Sequence, residues 1–260
     1  MGISKGAIRL LGMEFNRRAA AGRVVTYGVQ KVDATGSEAA ALLRVGGDSA
    51  PTAGGRIGQD ALFRLLGFET VESIDVYDAE SPTHVLDLNR PVPAALHGRY
   101  DLVYDGGTLE HCFSTSEALS NAVRLVKPGG RVIHHVPLNN WIDHGFYQFS
   151  PTLFFDFYQS NGFDDLSMAL HFMGRRRESY LPYDPRDGGR LPYSFGGAGK
   201  TPVFFGARKT AAPAEAVFPI QGRYRRVFGG EAQSEAPSGP FGRLRRSLAK
   251  RTYRLRAKPL

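Results

Sequence analysis

The sequence predicts an α/β fold, and the clearest evidence lies between Tyr100 and Pro151. An apolar run typical of a buried strand, a polar tip, a helical segment, a glycine-rich turn and a second apolar run follow one another there, at 102–104, 105–107, 109–126, 127–130 and 131–136. Such a succession is one α/β unit. The chain has 260 residues with 42% hydrophobic content, which is enough for a sizeable core.

The residues before this stretch predict further strands and helices. Ile8, Leu11 and Phe15 have roughly helical spacing and predict a short N-terminal helix. Strands are expected at 23–26, 71–76 and 83–88, helices at 36–45 and 59–66, and a Gly/Pro/Ser-rich loop at 46–58.

The residues after it predict a helix and a closing hairpin. Pro151 to Gly162 begins with proline, as helices often do, and its aromatic residues favour the core over a binding site. The hairpin is expected from Leu166–Phe172 and Val203–Ala207. The long segment 173–200 between these strands is predicted to be a loop, and loops of that length are usually functional or mobile.

The motif YDLVYDGGTLEH, followed by LVKPGG and a strand, resembles the second half of class I S-adenosylmethionine-dependent methyltransferases of the methyltransferase-11-like kind. The resemblance is specific over Tyr100–Asn140 and looser over Val24–Lys209. It implies a Rossmann-like, seven-stranded, mostly parallel sheet with helices on both faces and a C-terminal antiparallel hairpin. On this basis we expect an N-terminal helix (1–22), a methyltransferase-like domain (23–209), and a linker with a basic, flexible tail (210–260).

The resemblance also implies S-adenosylmethionine as cofactor, bound at the strand tips. The family's glycine-rich loop, G-x-G-x-G, is degenerate here, because only Gly28 remains. An acid at the end of the second strand, Asp75 or secondarily Asp78, would accept hydrogen bonds from the ribose hydroxyls, and Asp87 would accept from the adenine amine. The alternative is that these acids are ordinary turn residues. The expected cofactor-binding set is Gly28, Val29, Gln30, Asp75, Val76, Asp87, Leu88, Asp105, Gly106 and Gly107.

Methyl transfer from a sulfonium is an in-line displacement that mainly requires donor and acceptor to be held together, and a hydroxyl acceptor is helped by a base. His111, with Glu110, is the candidate catalytic group; the alternative is that this pair packs the helix start. His134 and His135 are interpreted as core histidines. No Cys/His set has zinc spacing and the reaction requires no metal, so no metal site is predicted. A polar and aromatic loop is expected to face the acceptor through Asn140, His144, Tyr147 and Gln148.

Two functional classes fit these features. The first is a methyltransferase acting on O or N of a small, sugar-like or lipid-linked metabolite. The second is a catalytically silent methyltransferase fold used for binding or as a scaffold, which the degenerate glycine loop favours. NAD-dependent oxidoreduction would need G-x-G-x-x-G after the first strand, and nucleic-acid base methylation would need a motif such as N-P-P-Y or D-P-P-Y where this chain has D-G-G-T.

Charge is concentrated at the C-terminus. The chain has a net charge of +8, whereas residues 221–260 contain eleven Arg or Lys and two Glu and carry about +9. This basic tail predicts reversible attachment to an anionic membrane surface, with Phe241, Leu244 and Leu248 inserting shallowly. A solvated tail or nonspecific nucleic-acid binding are the alternatives, and no specific nucleic acid is expected. One cysteine, Cys112, and no recognised signal peptide predict a cytoplasmic protein, and the membrane hypothesis for the basic tail would place it peripherally at the inner membrane.

Overall fold

The computed structural model describes residues 2–16, 19–44, 55–174, 178–185, 199–210, 216–229 and 258–259. Its strands are β1 (Gly2–Ile3), β2 (Arg23–Tyr27), β3 (Lys31–Thr35), β4 (Arg56–Gly58), β5 (Thr70–Asp75), β6 (His84–Val85), β7 (Tyr100–Asp105), β8 (Val126–Asn139), β9 (Phe163–Phe172), β10 (Ser179–Pro182), β11 (Thr201–Lys209) and β12 (Lys258–Pro259). Its helices are α1 (Lys5–Phe15), α2 (Gly36–Leu43), α3 (Gln59–Leu66), α4 (Thr115–Leu125), α5 (Pro151–Ser160) and α6 (Gly222–Phe228).

The main sheet has the order β12-β10-β9-β11-β8-β7-β2-β5-β6. Strands β6, β5, β2, β7 and β8 are parallel, and the strands from β11 to β12 pair antiparallel with their neighbours. The chain runs from β2 outward to β5 and β6, then returns to the other side of β2 for β7 and β8. The strand order therefore reverses between β2 and β7, and open α/β sheets bind ligands beyond the carboxyl ends of their strands at such a point.

The mixed α/β fold with a large parallel portion is confirmed, but the sheet differs in detail from the expected seven strands. Segment 173–200 was expected to be a loop, yet it supplies β10, which pairs with β9 and with β12. The predicted strand 83–88 is shorter, since only β6 forms regular pairing with β5. The predicted helix 109–126 starts later, as α4, after a short 3-10 turn at Leu109–His111.

The N-terminal residues belong to the same body as the rest of the domain. A small sheet joins β1, β3 and β4, and none of these three strands was predicted. Ile3, Ile8 and Leu11 are buried in one hydrophobic cluster with Leu102 and Tyr104 of β7. The N-terminal helix therefore packs on the sheet, while the expected domain boundary after residue 22 remains a prediction.

Successive residues of the parallel strands alternate between the two faces of the sheet, as strand geometry requires. Val25 and Val103 pack in the cluster that contains the α4 and α5 residues, whereas Val24 and Leu102 pack in the cluster beneath α1, α2 and α3. The predicted aromatic core face of α5 is confirmed, because its four aromatic residues are buried: Phe154, Phe155, Phe157 and Tyr158.

Part of the segment expected as linker and tail docks on α5. The Asn161 side chain donates to the Val217 carbonyl and accepts from the Val217 amide, at 2.8 and 2.7 Å. The Gly222 amide donates to Asp156 Oδ2 at 2.8 Å. The predicted apolar face at Phe241, Leu244 and Leu248 lies outside the described residues. Among the helices that are described, none has the length and apolar character needed to cross a membrane.

Candidate functional site

The turn after β2 needs glycine. Gly28 has a positive φ of 71°, and its amide donates to the Ile74 carbonyl at 2.7 Å. The Thr108 hydroxyl donates to the Tyr27 carbonyl at 2.7 Å, so close that a Cβ on Gly28 would lie 2.8 Å from Thr108 Oγ1. The tips of β2 and β7 are thereby joined where the strand order reverses.

Gln30 lies against Gly106, between the tips of β2 and β7. Its side chain is buried and folds back, with Nε2 donating to the Tyr27 carbonyl at 2.6 Å. A Cβ on Gly106 would lie only 2.3 Å from Gln30 Oε1. No described residue donates a hydrogen bond to that oxygen. A buried acceptor without a partner costs about 1–3 kcal/mol, which a ligand carrying an N–H group would recover.

The two strand-tip acids differ in how they are engaged. Asp75 ends β5 half-buried, and its Oδ1 accepts from the Tyr77 amide at 3.3 Å. Asp87 accepts from the amide and the side-chain nitrogen of Asn89 at 2.9 and 2.7 Å, and these bonds hold its pKa below the usual value. Asp87 thus closes its own turn. Of the two apolar residues predicted beside these acids, Val76 is exposed and Leu88 is buried.

The side chain of Asp105 has a structural role, and its expected place in the cofactor-binding set remains a prediction. Its carboxylate is fully buried, and Oδ1 accepts from the amides of Gly107, Thr108 and Leu109 at 3.1, 2.8 and 3.3 Å. Its Oδ2 accepts from His134 Nδ1 at 2.8 Å. The carboxylate thereby fixes the loop after β7. Gly106 and Gly107 of that loop have no side chain and can offer a ligand only backbone groups.

His134 is the core histidine that the sequence predicted. Its Nε2 accepts from the Tyr158 hydroxyl at 2.5 Å, which extends the chain of hydrogen bonds from Asp105 into α5. His135 points to the other face and contacts His171 Nδ1 at 3.1 Å. Both histidines are buried, and their ring nitrogens are hydrogen-bonded to neighbouring side chains of the core.

Glu110, His111 and His144 form a cluster beside the β7 tip. One potential ligand atom from each of the three side chains lies within 4.8 Å of the others. The His111 and His144 rings are 5.2 Å apart, edge to face. The sequence assigned Glu110 and His111 to catalysis and His144 to the acceptor; the structure places all three together.

Glu110 is unusual because its carboxyl group is fully buried and receives no hydrogen bond from any described residue. Burial, with a smaller contribution from Asp105, raises its pKa to about 8. His144 Nε2 lies 3.6 Å from its Oε1, which is longer than a hydrogen bond. Burial also lowers the pKa of His111.

The loop that carries His144 is tied to the backbone of Glu110. The Phe146 amide donates to the Glu110 carbonyl at 2.8 Å. Gly145 lets the two segments approach, because a Cβ there would lie 2.8 Å from that same carbonyl oxygen. The ring of Trp141 packs against His144 at 4.7 Å. These backbone contacts therefore fix where His144 lies relative to Glu110.

The other predicted acceptor residues largely hold this loop in shape. Gln148 Oε1 accepts from the Trp141 amide at 3.1 Å. The Tyr147 hydroxyl donates to the Phe113 carbonyl at 2.9 Å, and Asn140 Nδ2 donates to the Gly199 carbonyl at 3.1 Å. Each of these three side chains thus makes a hydrogen bond within the protein. The predicted contacts of these side chains with an acceptor remain a proposal.

An exposed apolar rim lies next to the cluster, and the sequence did not predict that Phe113 meets the expected acceptor loop there. Phe113, Ile142 and Phe146 are 72%, 85% and 65% exposed. The rings of Phe113 and Phe146 meet edge to face at 5.6 Å. Large apolar side chains exposed together near a polar cluster indicate a surface for a ligand's apolar part. Their separation in sequence, on two different loops, left no local signal.

No protein-family model and no curated protein sequence matches the chain. Solved structures that resemble it include a Thermotoga maritima SAM-dependent methyltransferase described as a possible histamine N-methyltransferase, at 16% identity and a TM-score of 0.42, covering 79% of this chain and 90% of that one. Another is phosphoethanolamine N-methyltransferase 2 of Haemonchus contortus, at 13% identity and a TM-score of 0.42, covering 77% of this chain and 52% of that one. Because both TM-scores lie below 0.5, we base no conclusion about function on these similarities.

Proposed function

We propose that the protein is an S-adenosylmethionine-dependent methyltransferase that methylates O or N of a small metabolite. The proposal rests on the groups found at the carboxyl edge of the sheet, between the tips of β2 and β7. There a left-handed glycine, Gly28, and the unpartnered buried oxygen of Gln30 stand beside the half-buried carboxylate of Asp75. This edge is the reversal point of the strand order, where α/β sheets bind ligands.

The residues at this edge suit the chemical groups of that cofactor. Gln30 Oε1 is an acceptor in need of a donor, and the ammonium of the cofactor's amino-acid end is one. Asp75 can accept from two ribose hydroxyls, because a carboxylate is an acceptor only. When bound, the cofactor would supply an electrophilic methyl group on sulfur. The proposed binding set is Gly28, Val29, Gln30, Asp75, Val76, Asp87, Leu88 and the backbone of Gly106 and Gly107.

On the acceptor side, Glu110 and His111 are the proposed catalytic pair. They follow directly on the loop that Gly106 and Gly107 form, so the acceptor would lie next to the methyl donor, as an in-line displacement requires. The apolar rim of Phe113 and Phe146 favours an acceptor with an apolar part, such as a lipid-linked or substituted sugar-like metabolite. Asn140, His144, Tyr147 and Gln148 form the proposed acceptor loop.

Isothermal titration calorimetry with S-adenosylmethionine tests the proposal. Asp75→Ala should weaken binding by about 1–3 kcal/mol, or roughly 5- to 150-fold in Kd, since it leaves the ribose hydroxyls without their acceptor. Asp78→Ala is the matched control: it removes a nearby carboxylate that is exposed on a short 3-10 turn, and should leave Kd unchanged. Absence of both heat and thermal stabilisation with the wild-type protein at millimolar cofactor would refute the enzyme assignment.

One observation favours the alternative of a silent methyltransferase fold used for binding. The Gln30 side chain lies directly over Gly106 and fills space that the family's loop glycines leave open. If this filling excludes the cofactor, Gln30→Gly should create binding that the wild-type protein lacks. If the wild-type protein binds and Gln30→Gly weakens the complex, the unpartnered oxygen is a cofactor contact and the Gln30 side chain does not exclude the cofactor.

A further inference from the structure

We infer that Glu110, His111 and His144 bind one divalent transition-metal ion. The sequence predicted no metal, because these residues lack the close spacing of a zinc motif: His144 lies 33 residues after His111. The fold removes that separation, since the loop carrying His144 is hydrogen-bonded to the Glu110 carbonyl through the amide of Phe146.

The geometry is within reach of a coordination sphere. One ligand atom from each side chain lies within 4.8 Å of the others. Metal–nitrogen and metal–oxygen bonds of about 2.0–2.2 Å place ligand atoms roughly 3–4 Å apart. Only the carboxyl group of Glu110 is fully buried, whereas His111 is exposed and His144 is partly exposed, so a small change in side-chain torsion would bring the three ligand atoms to these distances.

A second and independent observation points to a cation. Glu110 is 0% exposed, and neither of its oxygens receives a hydrogen bond from a described residue. A buried carboxyl group that receives no hydrogen bond is costly, and buried charges are normally paired or coordinate metals. The two other members of the cluster are imidazoles, which are metal ligands as well as bases.

The other histidines do not offer such a site. All seven histidines of the chain lie among the described residues. His134 is bonded through both ring nitrogens to Asp105 and Tyr158. His171 bridges His135 and Glu178, on the other face of the sheet. Within the described part of the chain, Glu110, His111 and His144 are the one group of at least three potential metal-ligating side chains that lie close enough to share an ion.

The ligand types select the class of ion. Two imidazoles and one carboxylate suit Zn²⁺, Fe²⁺, Co²⁺ or Mn²⁺ rather than Mg²⁺ or Ca²⁺, which prefer oxygen ligands. Three protein ligands leave a coordination position open, as in catalytic zinc sites. If the proposed methyltransferase function holds, that position would take an oxygen or nitrogen of the acceptor and hold it beside the methyl donor.

The chain provides its own reporter for a direct test. Trp141 is the only tryptophan, and its ring packs against His144 at 4.7 Å. Untagged full-length protein, stripped with a chelator, is titrated with Co²⁺ while Trp141 fluorescence and visible cobalt absorption are recorded, without cofactor. We expect quenching that saturates at one ion per chain, and Zn²⁺ should displace the cobalt.

Three variants assign the ion to the cluster. Glu110→Gln and His144→Ala should each weaken cobalt binding at least about tenfold. His97→Ala, which removes an exposed histidine elsewhere, should bind as the wild type does. His144 is partly exposed, so its variant is expected to fold even if Glu110→Gln does not; circular dichroism checks both.

Two results would overturn the inference: no cobalt signal at millimolar concentration, or binding that His144→Ala leaves intact. Because cobalt binding is measured without S-adenosylmethionine, the outcome is separate from the cofactor titration. A protein that binds the cofactor but not cobalt refutes only the metal site, and the converse refutes only the proposed methyltransferase.

Discussion

Asp105→Ala should be among the most destabilising substitutions in this chain. The buried carboxylate accepts three backbone amides of the loop at 107–109 and the His134 Nδ1 proton. Removing one partner of a buried charged network costs about 3–5 kcal/mol. Adding about 1.5–3 kcal/mol for each of the four bonds would exceed this range, but bonds that share one acceptor group are not additive. We therefore expect a loss of about 3–5 kcal/mol.

Asp105→Asn should cost less, at about 1–3 kcal/mol. The remaining amide oxygen can still accept from the loop, while the new NH₂ group faces His134 Nδ1. His134 can respond by moving its proton to Nε2, which leaves the Tyr158 hydroxyl proton without its acceptor. The order alanine, then asparagine, then wild type in increasing stability follows from this geometry.

Urea unfolding, followed by circular dichroism and by Trp141 fluorescence, measures these differences. With a slope of about 2–3 kcal/mol/M, Asp105→Ala should lower the midpoint by roughly 1–2 M. The control is Asp164→Ala, which removes a half-exposed carboxylate paired with Arg208 and should shift the midpoint little. If both alanine variants unfold at the same midpoint, the buried network does not stabilise the fold as we argue.

Two further predictions concern acid stability and the tail. Burial alone would raise the pKa of Glu72, but hydrogen bonds from His84, Tyr100 and Arg23 outweigh burial and lower this pKa to about 2. The stability that Glu72 provides is therefore fully present above its unfolded pKa of about 4.5, and it is lost as the pH falls toward 2. Glu72→Gln should flatten the acid side of the urea-midpoint profile; a profile parallel to that of the wild type would contradict this. The basic tail should carry the full-length protein onto anionic vesicles at low salt, and a full-length variant with the seven Arg and Lys of residues 243–256 changed to Gln should bind much less. Equal flotation of both proteins would rule out the membrane hypothesis. If the variant loses more of its binding to nucleic acid than of its binding to vesicles, nucleic acid is the favoured partner of the tail.

The sequence by itself determined the elements whose signals are local. The apolar run before Asp105, the glycines after it and the helix Gln59–Leu66 were predicted because hydrophobic periodicity and turn residues act within a few positions. The carboxyl-edge placement of Asp75 followed in the same way, from its position at the end of a predicted strand.

The tertiary structure decided how side chains at that edge are used. Nothing local indicates that Asp105 turns inward to bind His134, because its partner lies on the next strand. The Gln30 side chain closes over Gly106, which belongs to a distant segment of the chain. β10 forms inside the predicted loop by pairing with β9 on one edge and with the distant β12 on the other. The clearest case is Glu110 and His144: the backbone bonds between two loops bring them together, and no spacing along the chain encodes that contact.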